Sequence, residues 1–254
     1  MNKVYLALPC FNPDQTQWHR VAEFYKLIKT YPNSPFKFDL TVIDDGSPKW
    51  TPPPEGFNKD IAVVRLSRNK GKGGALLSAV QKAKGPYDIF AFIDFDIPYS
   101  AQDLMHACLC VKAGVDIAIG DRSCWWQTTR AGKYSRNLSH KIFRFFIRTL
   151  VIGGLHDTQC GIKAFKFQGA KLISKKAKLN GFLFDVEWLY IAARHRLTIQ
   201  NFAVRSQKHH TASNFMRFFN FKLAFEFSKL FVAILRRTYD SHEIVRWKNS
   251  QLSL

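Results

Sequence analysis

The chain is poor in acid. Of 254 residues only 19 are Asp or Glu, against 38 Lys or Arg, which gives a formal charge of +19. It is also modest in the residues that loosen a fold: 14 Gly and 10 Pro exclude a collagen-like or low-complexity chain. Hydrophobic residues make up 46% and include 23 Phe, so a disordered polyelectrolyte is excluded despite the charge. The length suits one large domain or two small ones. Five cysteines without framework spacing exclude a disulfide scaffold and point to buried, inert thiols in a reducing compartment. The opening MNKVYLALPC has too short an apolar run, ended by Pro9, to read as a signal peptide.

Long hydrophobic runs are lacking too. No window reaches about 18 uninterrupted apolar residues. The nearest are 142–155, broken by Arg144 and Arg148, and 223–235, broken by Glu226 and Lys229. A membrane, if one is involved, is expected to carry the protein on its surface. The charge itself implies anionic partners: nucleic acid, a membrane surface or phosphorylated small molecules. It is unevenly spread. Residues 121–150 hold seven Lys or Arg and one acid, and residues 201–254 hold nine and three.

The first half alternates strands and helices. Strands are expected at 4–11, 38–43, 61–66, 88–93 and 115–119, and helices at 18–30, 73–83 and 101–113. Mostly apolar strands alternating with helices predict a mostly parallel sheet with helices on both faces. Ligands of such sheets bind outside the carboxyl ends of the strands. Those ends read Asn12, Asp44-Asp45, Arg68-Asn69, Asp94/Asp96 and Asp121-Arg122, so that edge is the default site.

Asp94-x-Asp96 closes the apolar run 89–93. Two carboxylates at a strand mouth repel one another unless a cation lies between them. Mg2+ or Mn2+ is typically held by one or two carboxylates plus substrate phosphates, which suggests a metal bridging a diphosphate. Asp44-Asp45-Gly46-Ser47 offers a carboxylate to a base N–H or a ribose hydroxyl, or is simply an Asp-Gly turn. Arg68-Asn69-Lys70-Gly71-Lys72-Gly73-Gly74-Ala75 is not a Walker A motif, but its glycines would let backbone N–H groups approach an anion at a helix N-terminus. The run from Asp157 to Phe165 and the group Phe184-Asp185-Val186-Glu187 place acids and Lys163 after the sheet region. Asp157 is equally readable as a helix cap or a site residue.

In order and spacing, these motifs resemble family 2 glycosyltransferases over about residues 3–215. The set is Leu8-Pro9-Cys10-Phe11-Asn12, Ile43-Asp44-Asp45-Gly46-Ser47, Arg68 to Ala75, Asp94-x-Asp96, Asp157-Thr158-Gln159-Cys160-Gly161-x-Lys163-x-Phe165 and Phe184 to Glu187. The nearest branch is the polyprenyl-phosphate enzymes, and the Asp-Thr-Gln-Cys-Gly run looks most like dolichyl-phosphate β-glucosyltransferases. The resemblance implies an α/β GT-A fold, a nucleotide-diphosphate sugar donor, a divalent metal (Mg2+ or Mn2+) and inversion at the anomeric carbon. It implies that Pro9, Phe11 and Asn12 line the nucleoside pocket, that Asp44 meets base or ribose with Asp45 beside it, and that Arg68 and Lys72 face the nucleotide. Asp94 and Asp96 would hold metal and diphosphate. Arg122 and Arg136 match positions that meet the sugar or the acceptor phosphate, and Asp157 matches a position sometimes assigned as base. The chain departs from the pattern at Asp14 or Gln15, where Glu is usual, and at Phe95, where Ala is usual. It departs again at 204–214, where the alignment gives Lys208 to the donor and leaves His209-His210 as an addition. His210 is a candidate extra metal ligand.

A phosphate acceptor needs little base catalysis, since a phosphomonoester with a second pKa near ~6 is already ionised at neutral pH. Cations that offset phosphate–phosphate repulsion then matter more, and Arg122, Arg136 and Lys163 are the candidates. Residues 135–150 and 215–237 interleave Lys and Arg with Phe, as helices lying in a membrane interface do. The expected organisation is a glycosyltransferase domain at 1–215 and a basic aromatic amphipathic segment at 216–254. The expected location is the cytoplasmic face of a membrane, bound peripherally. The leading expectation is transfer of a hexose, glucose first, from UDP-sugar to a polyprenyl phosphate. The alternatives are a glycan or protein hydroxyl acceptor, with Asp157, Asp185 or Glu187 as base, and a nucleic-acid-binding protein. Nucleic acid is not the expected partner, because charge-driven binding does not need carboxylates grouped at strand ends.

Overall fold

The computed structural model describes residues 1–123, 157–205 and 221–239. Arg136, Lys208, His209, His210 and the helix expected at 135–150 lie outside the described residues.

The chain runs β1 (Asn2–Cys10), α1 (Gln15–Lys29), β2 (Phe36–Asp44), β3 (Ala62–Arg65), α2 (Lys72–Lys82), β4 (Ile89–Ile93), α3 (Ala101–Lys112) and β5 (Ile117–Asp121). After residue 156 come β6 (Ile162–Lys166), α4 (Phe167–Lys176), α5 (Phe184–Arg194), β7 (Ile199–Ala203) and α6 (Phe221–Leu235). The strands form one seven-stranded sheet in the order β3-β2-β1-β4-β6-β5-β7. Strand β6 runs antiparallel to β4 and β5, and the other neighbours are parallel. The sheet is mostly parallel, as the alternating pattern predicts.

Strands β4 and β5 are buried at every position, so both faces of the sheet are covered there. Helix α1 neighbours α3, while α2, α4 and α5 form a second group. Helix starts follow from local chemistry. Asp14 accepts the Gln17 N–H and Gln17 returns a bond to the Asp14 N–H, a reciprocal cap for α1. Ser100 and Asp103 do the same for α3. The two positions that depart from the family pattern near β1 are thereby placed: Asp14 caps α1, and the Gln15 amide donates to the Pro52 carbonyl at 3.1 Å.

Two differences from expectation matter for the site. The fifth strand begins at Ile117 rather than at 115, because Asp116 is drawn into a turn, bonded to Thr198 and ion-paired with Lys166 at 2.8 Å. The run before Phe165, read only as a motif, contains strand β6. Being antiparallel, β6 presents its N-terminal end, residues 157–161, to the edge where the parallel strands present their C-terminal ends.

Candidate functional site

The register sets the floor of the site. Cys10 on β1 lies level with Asp44 on β2, and Asp44 with Arg65 on β3. The loop after β1 turns at Asn12, whose φ of 50° is a left-handed value that Asn tolerates better than most residues. The Asn12 N–H donates to the Ser47 hydroxyl at 2.7 Å, and its side-chain oxygen accepts the Lys49 N–H at 3.1 Å. Phe11 is exposed and Pro9 half-buried beside this turn.

The two acids at the end of β2 are both buried, and both hold backbone. Asp44 accepts from the Ser47 N–H and hydroxyl and from the Arg65 guanidinium at 3.0 Å. Arg65 in turn lies over the Trp50 ring, 4.5 Å from its centroid. Asp45 accepts from the Lys70 and Gly71 N–H groups, each at 2.7 Å. Burial pushes the Asp45 pKa above the usual carboxylate range in spite of these two donors.

This changes the reading of the glycine-rich run. The N–H groups of Lys70 and Gly71 are taken by Asp45, and that of Gly74 by the Asn180 carbonyl at 3.2 Å. A Cβ at Gly71 would meet that same carbonyl, and one at Gly73 would meet the Phe184 ring. The glycines admit the 180–184 loop, and these three amides are committed inside the protein rather than presented to an anion. Of the run, Lys72 is half-buried in the site and Arg68 is exposed at its rim.

The centre of the site is a row of alternating charges. Arg122, just past β5, grips Asp157 with two guanidinium bonds of 2.6 and 2.8 Å. Lys163 on β6 is fully buried, paired with Asp185 of α5 at 2.5 Å and donating to the Cys160 carbonyl at 2.8 Å. Lys72 of α2 pairs with Asp94 at the end of β4. These pairs also act on each other electrostatically: Asp157 feels Lys163, and Asp185 feels both Lys163 and Lys72. The order Arg122, Asp157, Lys163, Asp185, Lys72, Asp94 alternates in sign along its whole length. Phe92 lies beneath it, with both lysine ammoniums within 5.6 Å of its ring centroid.

The pKa shifts follow. Burial pushes Asp157 up, but the Arg122 bonds and charge outweigh it and hold the carboxyl below its usual value. Burial dominates at Asp185, whose pKa is raised despite Lys163 and Lys72. Burial opposes the charge on Lys72, yet Asp94 and Asp185 leave its pKa raised. Burial pushes the Cys160 thiol up to about 11, which leaves it protonated and inert.

Asp94 and Asp96 offer oxygen donors at a strand end, and Gly161 makes room for them. A Cβ at 161 would run into the Asp94 carboxylate, and the Gly161 carbonyl accepts the Asp94 N–H at 3.0 Å. Among the described residues no group of three His, Cys, Asp or Glu gathers to enclose a metal. Two carboxylates at a strand end suit a hard cation, which would take its remaining ligands from substrate phosphates and water. Phe95, the departure between the two acids, turns inward and stacks edge-on against Trp18 with centroids 5.1 Å apart. It anchors the turn between the two acids to the core.

The structure thus brings Asp94, Asp96, Lys72, Asp157, Arg122 and Lys163 to one edge, with Asp44, Asp45, Pro9, Phe11, Asn12 and Arg68 on the β1–β3 side. Sequence reasoning missed Arg65, Trp50 and Tyr99. The Tyr99 hydroxyl accepts the Gly161 N–H and contacts the Cys160 thiol, each at 3.2 Å, fixing the turn against Asp94. Nothing in their spacing marked these residues.

The sequence matches the profile of Glycosyl transferase family 2 over residues 5–172. The chain belongs to this family. Within the family-2 comparison, it is 29% identical over 220 residues to a dolichyl-phosphate β-glucosyltransferase of Dictyostelium discoideum, covering 80% of this chain and 67% of that one. A dolichyl-phosphate β-glucosyltransferase of Drosophila melanogaster is 27% identical over 213 residues, covering 79% and 65%. The chain thus spans about two thirds of the length of these relatives. Its family-2 fold is GT-A: it superposes on glucosyl-3-phosphoglycerate synthase of Mycobacterium tuberculosis, solved with Mn2+, UDP-glucose and phosphoglyceric acid, with a TM-score of 0.56. That match has 17% identity and covers 98% of this chain and 84% of that one.

Proposed function

We propose that this family-2 protein transfers a hexose, glucose first, from UDP-sugar to a polyprenyl phosphate at a membrane surface, with inversion. The observation that carries the reading is that, among the described residues, each of the three candidate bases, Asp157, Asp185 and Glu187, is already engaged. Asp157 is gripped by Arg122 and Asp185 by Lys163. Glu187 accepts the Lys178 and Leu179 N–H groups and the Tyr239 hydroxyl. A hydroxyl acceptor requires a base that is both basic and within reach of it. At Asp157 burial is outweighed by Arg122, which holds the pKa down, and Asp185 and Glu187 are buried. A phosphate acceptor arrives ionised and requires cations and positioning. The names of the relatives, dolichyl-phosphate β-glucosyltransferase, support the same acceptor.

In this mechanism Asp94 and Asp96 would hold a divalent cation, Mg2+ or Mn2+, which would supply charge stabilisation to the leaving nucleoside diphosphate. Fold neighbours solved with Mn2+ and UDP-glucose or with Mg2+ and UDP support a divalent cation beside the nucleotide. Arg122, held in place by Asp157, faces acceptor phosphate and sugar, with Arg136 as the second cation. Lys163 neutralises Asp185 beneath them and keeps the floor of the site uncharged. The Asn12 turn, Pro9 and Phe11 frame the nucleoside, Asp44 and Asp45 fix the Ser47 and Lys70-Gly71 loops beside it from below, and Arg68, Lys72 and Lys208 serve the diphosphate side.

Among the described residues no helix is long and apolar enough to cross a membrane. Helix α6 supports surface binding instead. Its inner face, Glu226, Phe227, Leu230 and Ile234, packs on the domain, while Phe225 (57%), Phe231 (44%), Val232 (42%) and Leu235 (66%) are exposed beside Lys229 and Arg236. Such a face suits an anionic interface, and the cytoplasmic leaflet is the anionic one.

The test is incubation with labelled UDP-glucose, Mg2+ or Mn2+ and a short polyprenyl phosphate, followed by butanol extraction. A butanol-soluble labelled product is expected, and Asp96→Asn should lower its rate by about a hundredfold or more. No product with UDP-glucose, GDP-mannose or UDP-N-acetylglucosamine defeats the reading.

A further inference from the structure

Helix α2, which begins at Lys72, has no side-chain cap. An orphan N–H in its first turn is met instead by a carbonyl of the 177–183 loop, Asn180 to Gly74 at 3.2 Å. That loop leads into α5, whose first turn carries Asp185, the partner of Lys163. The loop is itself held from behind by the C-terminal segment. The Glu226 carboxylate of α6 accepts the Leu183 N–H at 3.0 Å, and a Cβ at Gly181 would collide with it. The Tyr239 hydroxyl, fully buried, donates to Glu187 at 2.5 Å. Glu187 in turn accepts the N–H groups of Lys178 and Leu179, each at 2.8 Å. Two residues of the C-terminal segment therefore clamp the loop whose other side caps α2.

We propose that Glu226 is a positioning residue for the donor site, seconded by Tyr239. It acts through the 177–183 loop on the first turn of α2 and on Asp185, setting where Lys72 and Lys163 stand. Neither Glu226 nor Tyr239 is required to touch the substrate. The inner face of α6 is thus part of the site's frame, while its outer face is left for the membrane. The kinetic consequence rests on the proposed donor site; the packing consequence does not.

Hydrogen–deuterium exchange on the full chain tests the packing directly, without any ligand. Glu226→Ala should speed exchange at 178–187 and at Gly74 by about tenfold, the factor expected for one lost charge-assisted hydrogen bond, with β1 and β4 unchanged. Glu226→Gln, which keeps an acceptor oxygen, should restore the wild-type pattern. Tyr239→Phe removes a single hydroxyl and should speed 178–179 first, so it decides the matter if Glu226→Ala fails to fold. In the transfer assay the Ala variant should raise the donor KM several-fold while kcat changes less, and Gln should rescue it. Exchange at Gly74 unchanged in both Glu226→Ala and Tyr239→Phe overturns the proposal. A wild-type chain that transfers no sugar overturns the proposed function and leaves the exchange result to judge the clamp by itself.

Discussion

Lys72 and Asp94, from α2 and the end of β4, form an ion pair in the row of charges at the sheet edge. The lysine thus engages one of the two carboxylates proposed to hold a divalent cation, and on that proposal a bound cation would compete with it for the same oxygens. Both side chains are about a third exposed, so solvent weakens the pair to the range of surface ion pairs. Replacing Lys72 with Met should tighten Mn2+ binding in the absence of nucleotide by a factor of about two to five. The same change should weaken binding of UDP with Mn2+. Calorimetric titration of each ligand checks both signs, and weaker Mn2+ binding by the variant would remove the competition.

The Lys163–Asp185 pair is buried where the Lys72–Asp94 pair is not. Removing one member strands the other in the core. Lys163→Met should cost about 3–5 kcal/mol of stability. Lys163→Met combined with Asp185→Leu should recover most of that loss, because a well-packed apolar pair often replaces a buried ion pair at little cost. Denaturant midpoints of the three proteins give the comparison. Equal losses in the single and double variants would mean that packing, not charge, is what the pair provides.

Asp157 and Asp185 respond to pH with opposite signs. The pKa of Asp157 is lowered in the folded state, so its contribution is present above the unfolded value near ~3.9 and is lost as pH falls through the lower folded value. The pKa of Asp185 is raised, so its contribution is present below the unfolded value and fades as pH rises through the folded one. Asp157→Asn should cost about 1–3 kcal/mol near neutral pH, the worth of hydrogen bonds to a charged group, with the gap to wild type closing below about pH 4. Unfolding midpoints from pH 3 to 6 measure this. A gap that stays constant over that range would show that Arg122 gains nothing from the charge on Asp157.

The parallel half of the sheet was legible because β1, β4 and β5 carry continuous apolar runs and β1, β2, β4 and β5 end at or just before Asp or Asn. Strand β6 was not, because its five residues include Lys163 and Lys166, and the charge hid a buried segment. Lys163 is inside only because Asp185 meets it there, a contact across 22 positions that no local pattern announces. The acids were legible as a set, but not their pairing. Asp44 and Asp45 read as ligand-facing, yet both are buried and bonded to protein groups, since a carboxylate below a loop of exposed N–H groups satisfies those groups first. The glycines at 71 and 73 read as a phosphate approach, and the structure instead places the 180–184 loop against them.

The outer face of α6 sets the membrane prediction. Phe231→Ser with Leu235→Ser should lower partition onto anionic vesicles by about tenfold or more, because each side chain contributes ~1.5–3 kcal/mol when fully buried. Unfolding of the double variant should be little changed, since both residues are exposed. Flotation at low salt reports the binding. Full retention on the vesicles would move the contact to another surface.

Synthesis runs from β1 toward Tyr239, and domains fold as they emerge. The sheet and its acids are available early, but the clamp on the 177–183 loop arrives only with Glu226 and Tyr239. The 177–183 loop and the α2 start it caps are therefore fixed late in synthesis. A nascent chain holding every strand would carry the right acids on a finished sheet, with the 177–183 loop beside Lys72 and Asp185 still unclamped.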